Sequence, residues 1–173
     1  MKYLHTIQLA ALILLLAGCG AEPTTVEEQP TKPAQSEVKN HSLGETVTTG
    51  DLEFTLKSIE TVQDIGSPGW VEPAGPGETY VIAKFAFKNL STTPIDPFQL
   101  PSVALLDSNG VEYGSDLQSS SMASDGDSIP LDNINPGITY NDTLAWKVVA
   151  ENYDPSAWTV VVRSDPQVAF GLQ

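Results

Sequence analysis

The chain has 173 residues, of which 22 are acidic and only eight are lysine or arginine, giving a formal net charge of -14 at pH 7. A surface this acidic repels polyanions, which excludes nucleic acid as a partner and excludes membrane attachment through a basic patch. Cys19 is the only cysteine, so no intramolecular disulfide can form and core packing must stabilise the fold.

The N-terminus has the pattern of a lipoprotein signal peptide over residues 1–18. Lys2 supplies the positive region, Ile7–Leu16 the apolar region, and Leu16–Cys19 reads Leu-Ala-Gly-Cys, with small residues directly before the cysteine. The apolar run is shorter than the roughly 20 residues that span a bilayer. We therefore predict export and removal of this segment.

Cys19 is the predicted lipidation site, because its thiol can accept diacylglycerol and then become the mature N-terminus. The membrane is then a partner through this anchor, and the location is extracytoplasmic, on the bacterial cell membrane or the outer membrane. Two alternatives stay open, namely an ordinary signal peptide cleaved elsewhere and an uncleaved anchor. Both would still export the domain.

Residues 19–42 are predicted to form a linker behind the lipidated cysteine. The segment is rich in Pro, Thr, Glu and Gln and has only two large aliphatic side chains, so it cannot bury a core. Pro23, Pro30 and Pro33 favour extended backbone.

Residues 43–173 are predicted to form one all-β domain, because apolar and polar residues alternate in short stretches that are separated by turn residues. Trp146 and Trp158 are expected in the core, and Asn109-Gly110 marks a tight hairpin turn. The pattern favours an immunoglobulin-like antiparallel β-sandwich of about seven to eight strands. The strong strand candidates are Leu52–Lys57, Tyr80–Lys88, Val103–Leu106, Val111–Tyr113, Ile138–Val148, Trp158–Arg163 and a short edge at Val168–Leu172.

Several of these segments occur in a familiar order. Gly44–Val47 opens the domain, Tyr80–Asn89 is an aromatic strand, Leu106–Gly110 is a turn, and Pro136-Gly137 precedes Leu144–Trp146. Residues 43–173 therefore resemble a domain-of-unknown-function family of telokin-like, immunoglobulin-like bacterial lipoproteins and secreted antigens. The chain departs from that pattern after Trp146, where members often carry an acidic residue and a proline. The resemblance implies a fold and brings no catalytic residues.

The predicted domain offers little catalytic chemistry. The only histidines are His5, in the signal peptide, and His41, in the linker, so the domain lacks histidine as well as thiol. The usual zinc, copper and non-haem iron ligand sets are therefore absent, and no nucleotide-binding motif occurs. We predict no catalytic residues and no such cofactor.

Oxygen ligands leave calcium as the one candidate cofactor. Asp125, Asp127 and Asp132, with the amide of Asn133, lie in a short glycine-containing segment. Their spacing matches no EF-hand. The alternative is an acidic loop whose residues serve turns and solubility.

Trp70 is the candidate partner-binding residue. It lies in a stretch rich in proline and glycine, 66–77, which is interpreted as a long loop between two strands. Loops at the ends of sandwiches commonly carry binding functions, and tryptophan is enriched at binding hot spots. The competing and preferred interpretation is that Trp70 folds back and caps the sandwich.

The leading functional hypothesis is a non-enzymatic, lipid-anchored binding or interaction module of the cell envelope. Its partner would be an envelope or extracellular protein or another ligand that the sequence does not identify. The alternatives are a calcium-dependent adhesive or stabilising surface domain and, less favoured, a hydrolase that uses paired carboxylates.

Overall fold

The structure is a computed structural model that describes residues 40–127 and 132–173. These residues all lie in one compact unit. The predicted signal peptide, Cys19 and the linker up to residue 39 lie outside the described residues.

The described chain forms eleven strands, one α-helix and two short 3-10 helices. The strands are β1 (Asn40–His41), β2 (Thr46–Thr49), β3 (Leu52–Val62), β4 (Asp64–Ser67), β5 (Trp70–Pro73), β6 (Glu78–Asn89), β7 (Val103–Leu106), β8 (Glu112–Tyr113), β9 (Thr139–Val149), β10 (Thr159–Val162) and β11 (Val168–Gly171). The α-helix is α1 (Leu117–Ala123), and the 3-10 helices are Pro97–Gln99 and Ala150–Asn152.

Two main sheets form the sandwich. The four-stranded sheet has the order β2-β3-β6-β9, and the five-stranded sheet has the order β1-β11-β10-β7-β8. All neighbouring strands in them are antiparallel except β1 and β11, which pair in parallel. The predicted immunoglobulin-like β-sandwich is confirmed, and the higher strand count comes from very short strands and from the separate β4–β5 hairpin.

Strand β6 is central to the four-stranded sheet and separates two apolar layers. Val81, Ala83, Phe85 and Phe87 face the core between the sheets, together with the buried Trp146. Of the alternate side chains, Tyr80 and Ile82 belong to a second, smaller cluster. Period-two alternation therefore buries both faces of this strand, because each face has its own cover.

The two tryptophans predicted in the core are buried, with Trp146 1% and Trp158 3% exposed. Trp158 stacks on Tyr113 with ring centroids 5.1 Å apart, and Tyr153 meets it edge-on at 5.2 Å. Burial raises the pKa of the Tyr153 hydroxyl. The hairpin predicted around Asn109-Gly110 is present between β7 and β8, but its turn spans Asp107–Gly110, closed by the Gly110 N–H donating to the Asp107 carbonyl at 3.0 Å, and Gly110 has a φ of 78°.

Two boundary expectations differ from the structure. Asn40 and His41, assigned to the linker, form β1 and pair with Ala169 and Phe170. Because β1 covers that side, β11 lies inside the sheet and is not the edge strand predicted for Val168–Leu172. A two-residue strand is too short to show the alternation on which the prediction depended.

Two further elements were not predicted, and both cover the outer face of the four-stranded sheet. The stretch interpreted as a loop around Trp70 overlaps the β4–β5 hairpin, and the polar stretch after Tyr113 contains α1. No helix in the described ranges is long and apolar enough to cross a membrane.

Candidate functional site

The β4–β5 hairpin is closed by the two-residue turn Pro68-Gly69. Ser67 pairs with Trp70 across this turn, and Ile65 pairs with Glu72. Proline followed by glycine suits a type II turn, whose second central residue needs a positive φ, and Gly69 has a φ of 95°. The turn thus places Trp70 at the first position of β5.

Alternation along the hairpin gives it an inner face that carries Ile65, Ser67, Trp70 and Glu72. Ile65 is 4% exposed and joins the small apolar cluster with Tyr80, Ile82 and Ala145, against which Met122 of α1 also packs. The hairpin is therefore docked on the sheet at its base, while its tip carries Ser67 and Trp70.

Helix α1 is fixed by a side-chain cap and by the edge of β9. The Asp116 carboxylate accepts the backbone N–H of Ser119 at 2.6 Å, and this bonding lowers the pKa of Asp116. The hydroxyl of Ser120 accepts the backbone N–H of Ala145 at 2.9 Å, and the backbone N–H of Asp116 donates to the Ala145 carbonyl at 3.0 Å. The helix thus satisfies backbone groups that an edge strand would otherwise expose.

Glu72 connects the hairpin to β6, to β9 and to α1. Its carboxylate accepts hydrogen bonds from the hydroxyl of Tyr80 at 3.1 Å, the side-chain amide of Gln118 at 3.1 Å and Lys147 Nζ at 3.3 Å. Lys147 Nζ also lies 5.1 Å from the centre of the Tyr80 ring. Its contacts with Tyr80 and Glu72 raise the pKa of Lys147. We call these four residues the Glu72 cluster.

An open groove of about 460 Å³ lies between the hairpin tip and α1. We call it the Trp70 groove. It is lined by Gly66, Ser67, Trp70, Gln118, Ser121, Met122 and Ser124.

The indole of Trp70 is 74% exposed at this groove. The preferred sequence interpretation, in which Trp70 folds back to cap the sandwich, is therefore wrong. On that side of the four-stranded sheet, the small apolar cluster is formed by Ile65, Tyr80, Ile82 and Ala145, and Met122 packs against it. The interpretation of Trp70 as a partner-binding residue stays a prediction.

The acidic segment predicted as a calcium site is only partly described, because residues 128–131, between Asp127 and Asp132, lie outside the described residues. The Asp125 carboxylate accepts a hydrogen bond from Lys84 Nζ at 2.9 Å, which lowers the pKa of Asp125 and raises that of Lys84. Among residues 40–127 and 132–173, no three or more His, Cys, Asp or Glu side chains are grouped to hold a metal ion. Calcium binding stays a prediction.

Carboxyl groups with shifted pKa values bear on the hydrolase alternative. The pKa is lowered for Asp116, Asp125 and Asp154, in each case mainly by side-chain hydrogen bonding, to Ser119, Lys84 and Ser156 respectively. A general acid in glycoside hydrolysis needs the opposite shift. These three groups therefore do not suit that role.

Sequence reasoning found Trp70 and missed the residues around it. Glu72, Gln118 and Met122 come from two separate elements that meet only in the folded chain. A usable signal existed for the hairpin, since Pro68-Gly69 is a strong turn dipeptide. Another existed for the helix, since Asp116 precedes a run of residues that tolerate helix.

The fold and the groove define a class of protein: an immunoglobulin-like β-sandwich whose four-stranded sheet carries an added hairpin and helix. The chain belongs to the family described as Domain of unknown function (DUF4352), whose model matches residues 41–156. It is also 30% identical over 131 residues to the uncharacterized protein YxkC of Bacillus subtilis strain 168, which covers 73% of each chain. The family resemblance inferred from the sequence is confirmed.

Solved structures share this fold at low sequence identity. A conserved hypothetical protein of Bacillus anthracis is similar with a TM-score of 0.67 and 21% identity, over 76% of this chain and 96% of that one. An uncharacterized β-sandwich protein of Clostridium difficile 630 has a TM-score of 0.56 and 17% identity, over 82% and 100%. The secreted protein MPT63 of Mycobacterium tuberculosis has a TM-score of 0.51 and 13% identity, over 79% and 98%.

Proposed function

We propose that the protein is a non-enzymatic, lipid-anchored interaction module of the cell envelope, and that the Trp70 groove is its contact surface. The observation that carries this proposal is an indole that is 74% exposed although the hairpin holding it is firmly docked. Burying such a side chain against a partner removes a large apolar area from water, which is why tryptophan is frequent among binding hot spots.

The support beneath Trp70 favours a binding role over an accidental exposure. Ile65 is buried on the sheet, and the Glu72 cluster links the hairpin to β6, β9 and α1. A contact residue held on a rigid element loses little conformational entropy on binding, so more of the contact energy appears as affinity.

The envelope location is supported by the sequence around Cys19 and by the likeness in fold to a secreted protein. The acidic surface gives the domain no electrostatic attraction to anionic lipid. An anchor at Cys19 would therefore provide the membrane attachment, and the linker would separate the domain from the bilayer.

The contact surface can be tested with the full-length chain in detergent and with envelope material from which lipid has been extracted. Without lipid, an acyl anchor has nothing to enter, so sedimentation reports contacts of the folded domain. We expect the wild type to co-sediment and Trp70→Ala to lose at least about tenfold in bound fraction. Phe98→Ala is the matched control, because Phe98 is 89% exposed and does not line the groove.

Thermal melts of both variants provide the check on folding. Truncating an exposed side chain is expected to change the free energy of unfolding by no more than about 0.5 kcal/mol. Equal retention of the wild type and Trp70→Ala would contradict the proposal, as would an equal loss in Phe98→Ala.

A further inference from the structure

We propose that the Trp70 groove binds a neutral glycan of N-acetylated amino sugars. This inference rests on the proposed function, since it names the ligand class of the same contact surface. It starts from the chemistry of the groove wall, which combines one flat aromatic face with several uncharged hydrogen-bonding groups.

The groove has suitable size and lining for one or two sugar rings. Its volume of about 460 Å³ falls within the range of small-molecule sites. Hydroxyls come from Ser67 and Ser121, and an amide comes from Gln118, whereas the Ser124 hydroxyl donates to the Asp127 carbonyl at 2.6 Å. A pyranose ring has an apolar face of C–H groups and a rim of hydroxyls, so it could stack on the Trp70 indole while its rim reaches these polar groups.

The uncharged lining of the groove favours a neutral glycan over charged ligands. None of the residues that line the groove is charged. The net charge of -14 opposes the approach of anionic polymers. A cationic ligand would need a carboxylate in the groove, but Glu72, on the same hairpin face as Trp70, already accepts hydrogen bonds from Tyr80, Gln118 and Lys147.

The acetamido group is inferred from Gln118 and Met122. Glu72 holds the NH₂ group of Gln118, which fixes the side chain and leaves its carbonyl oxygen oriented as an acceptor. An acetamido N–H could donate to that oxygen, while the acetamido methyl group contacts the thioether of Met122, which also lines the groove. A glucose polymer has no acetamido substituent, so it offers neither this N–H nor this methyl group.

The experiment compares insoluble chitin with insoluble cellulose, using the full-length chain in detergent. We expect the wild type to bind chitin and to bind cellulose at least about tenfold less. Trp70→Ala should lose about tenfold or more on chitin. Gln118→Leu should lose about three- to tenfold, as expected for one hydrogen bond, and Phe98→Ala should bind as the wild type does.

Partially deacetylated, cationic chitin controls for attraction by the acidic surface. Binding that increases with deacetylation and disappears in high salt, independently of Trp70, would overturn the inference. Absence of wild-type binding to chitin would overturn it as well.

Protease treatment of the lipid-extracted envelope separates this inference from the proposed function. If a glycan is the ligand, sedimentation that depends on Trp70 should persist after the treatment. If it disappears, the ligand is a protein, which overturns the glycan and leaves the contact surface in place. If the untreated envelope also shows no dependence on Trp70, both proposals fail.

Discussion

Replacing Cys19 with serine is expected to abolish incorporation of fatty acid into the protein and to release it from the membrane fraction. A serine hydroxyl is a far weaker nucleophile than a thiol, and the chain has no second cysteine to be modified in its place. The effect should be large, because each buried CH₂ group contributes about 0.8 kcal/mol and two chains hold a protein durably. Metabolic labelling with an alkyne-tagged palmitate, followed by fractionation, measures both outcomes.

The control for this substitution is Gly20→Ser, which changes the neighbouring residue and keeps the thiol. It should be labelled as strongly as the wild type. Labelling of Cys19→Ser at the wild-type level, or no labelling of the wild type, would refute the anchor. Intact mass adds a separate readout, since a signal peptide that is not cleaved from Cys19→Ser would add the mass of residues 1–18 to the protein.

Replacing Gly66 with alanine is expected to detach the β4–β5 hairpin from the sheet. Gly66 has a φ of 111°, and a Cβ atom there would lie 2.2 Å from the backbone carbonyl oxygen of Trp70. Backbone must therefore move, at a cost of about 1–3 kcal/mol in local stability. Hydrogen exchange of the hairpin amides should accelerate by about 10- to 100-fold, and envelope binding should fall with it.

Gly69→Ala is the matched control within the same hairpin. Gly69 also has a positive φ, of 95°, but a Cβ there meets no atom within 4 Å. Gly69→Ala therefore introduces the backbone strain without the overlap, and hydrogen exchange of the hairpin amides should accelerate less than in Gly66→Ala. Amides in the centre of β6 should stay protected in both variants, because the main core is untouched. Equal acceleration of exchange in the two variants would contradict this account, because the overlap of a Cβ at position 66 with the Trp70 carbonyl would then not be the cause of detachment.

The sandwich could be predicted because its long strands bury alternate residues along their length. Leu52, Phe54 and Leu56 of β3 and the aromatic face of β6 show this pattern directly in the sequence. Short elements lack such a signal. β1 has two residues, and its position beside β11 depends on parallel pairing between segments more than 120 residues apart, which no local pattern records.

The candidate site was harder to predict because its second apolar layer is assembled from isolated residues. Ile65, Tyr80 and Ala145 come from three different strands. In the sequence, each is a single apolar or aromatic residue on a face that is otherwise polar, so none of them indicates a buried layer. The sequence pointed to Trp70 because tryptophan is rare and lies beside turn residues. It could not show that Ile65 and Met122, and not Trp70, join the small apolar cluster.

The most direct test of the central claim, that an anchored domain binds its partner through the Trp70 groove, is photo-crosslinking in intact cells. A photoreactive amino acid in place of Ser67, which lines the groove beside its cross-strand partner Trp70, should give a discrete adduct in the envelope. The same amino acid in place of the exposed Phe98 should not. Adducts of equal yield from both positions, or an adduct from position 98 alone, would contradict the account.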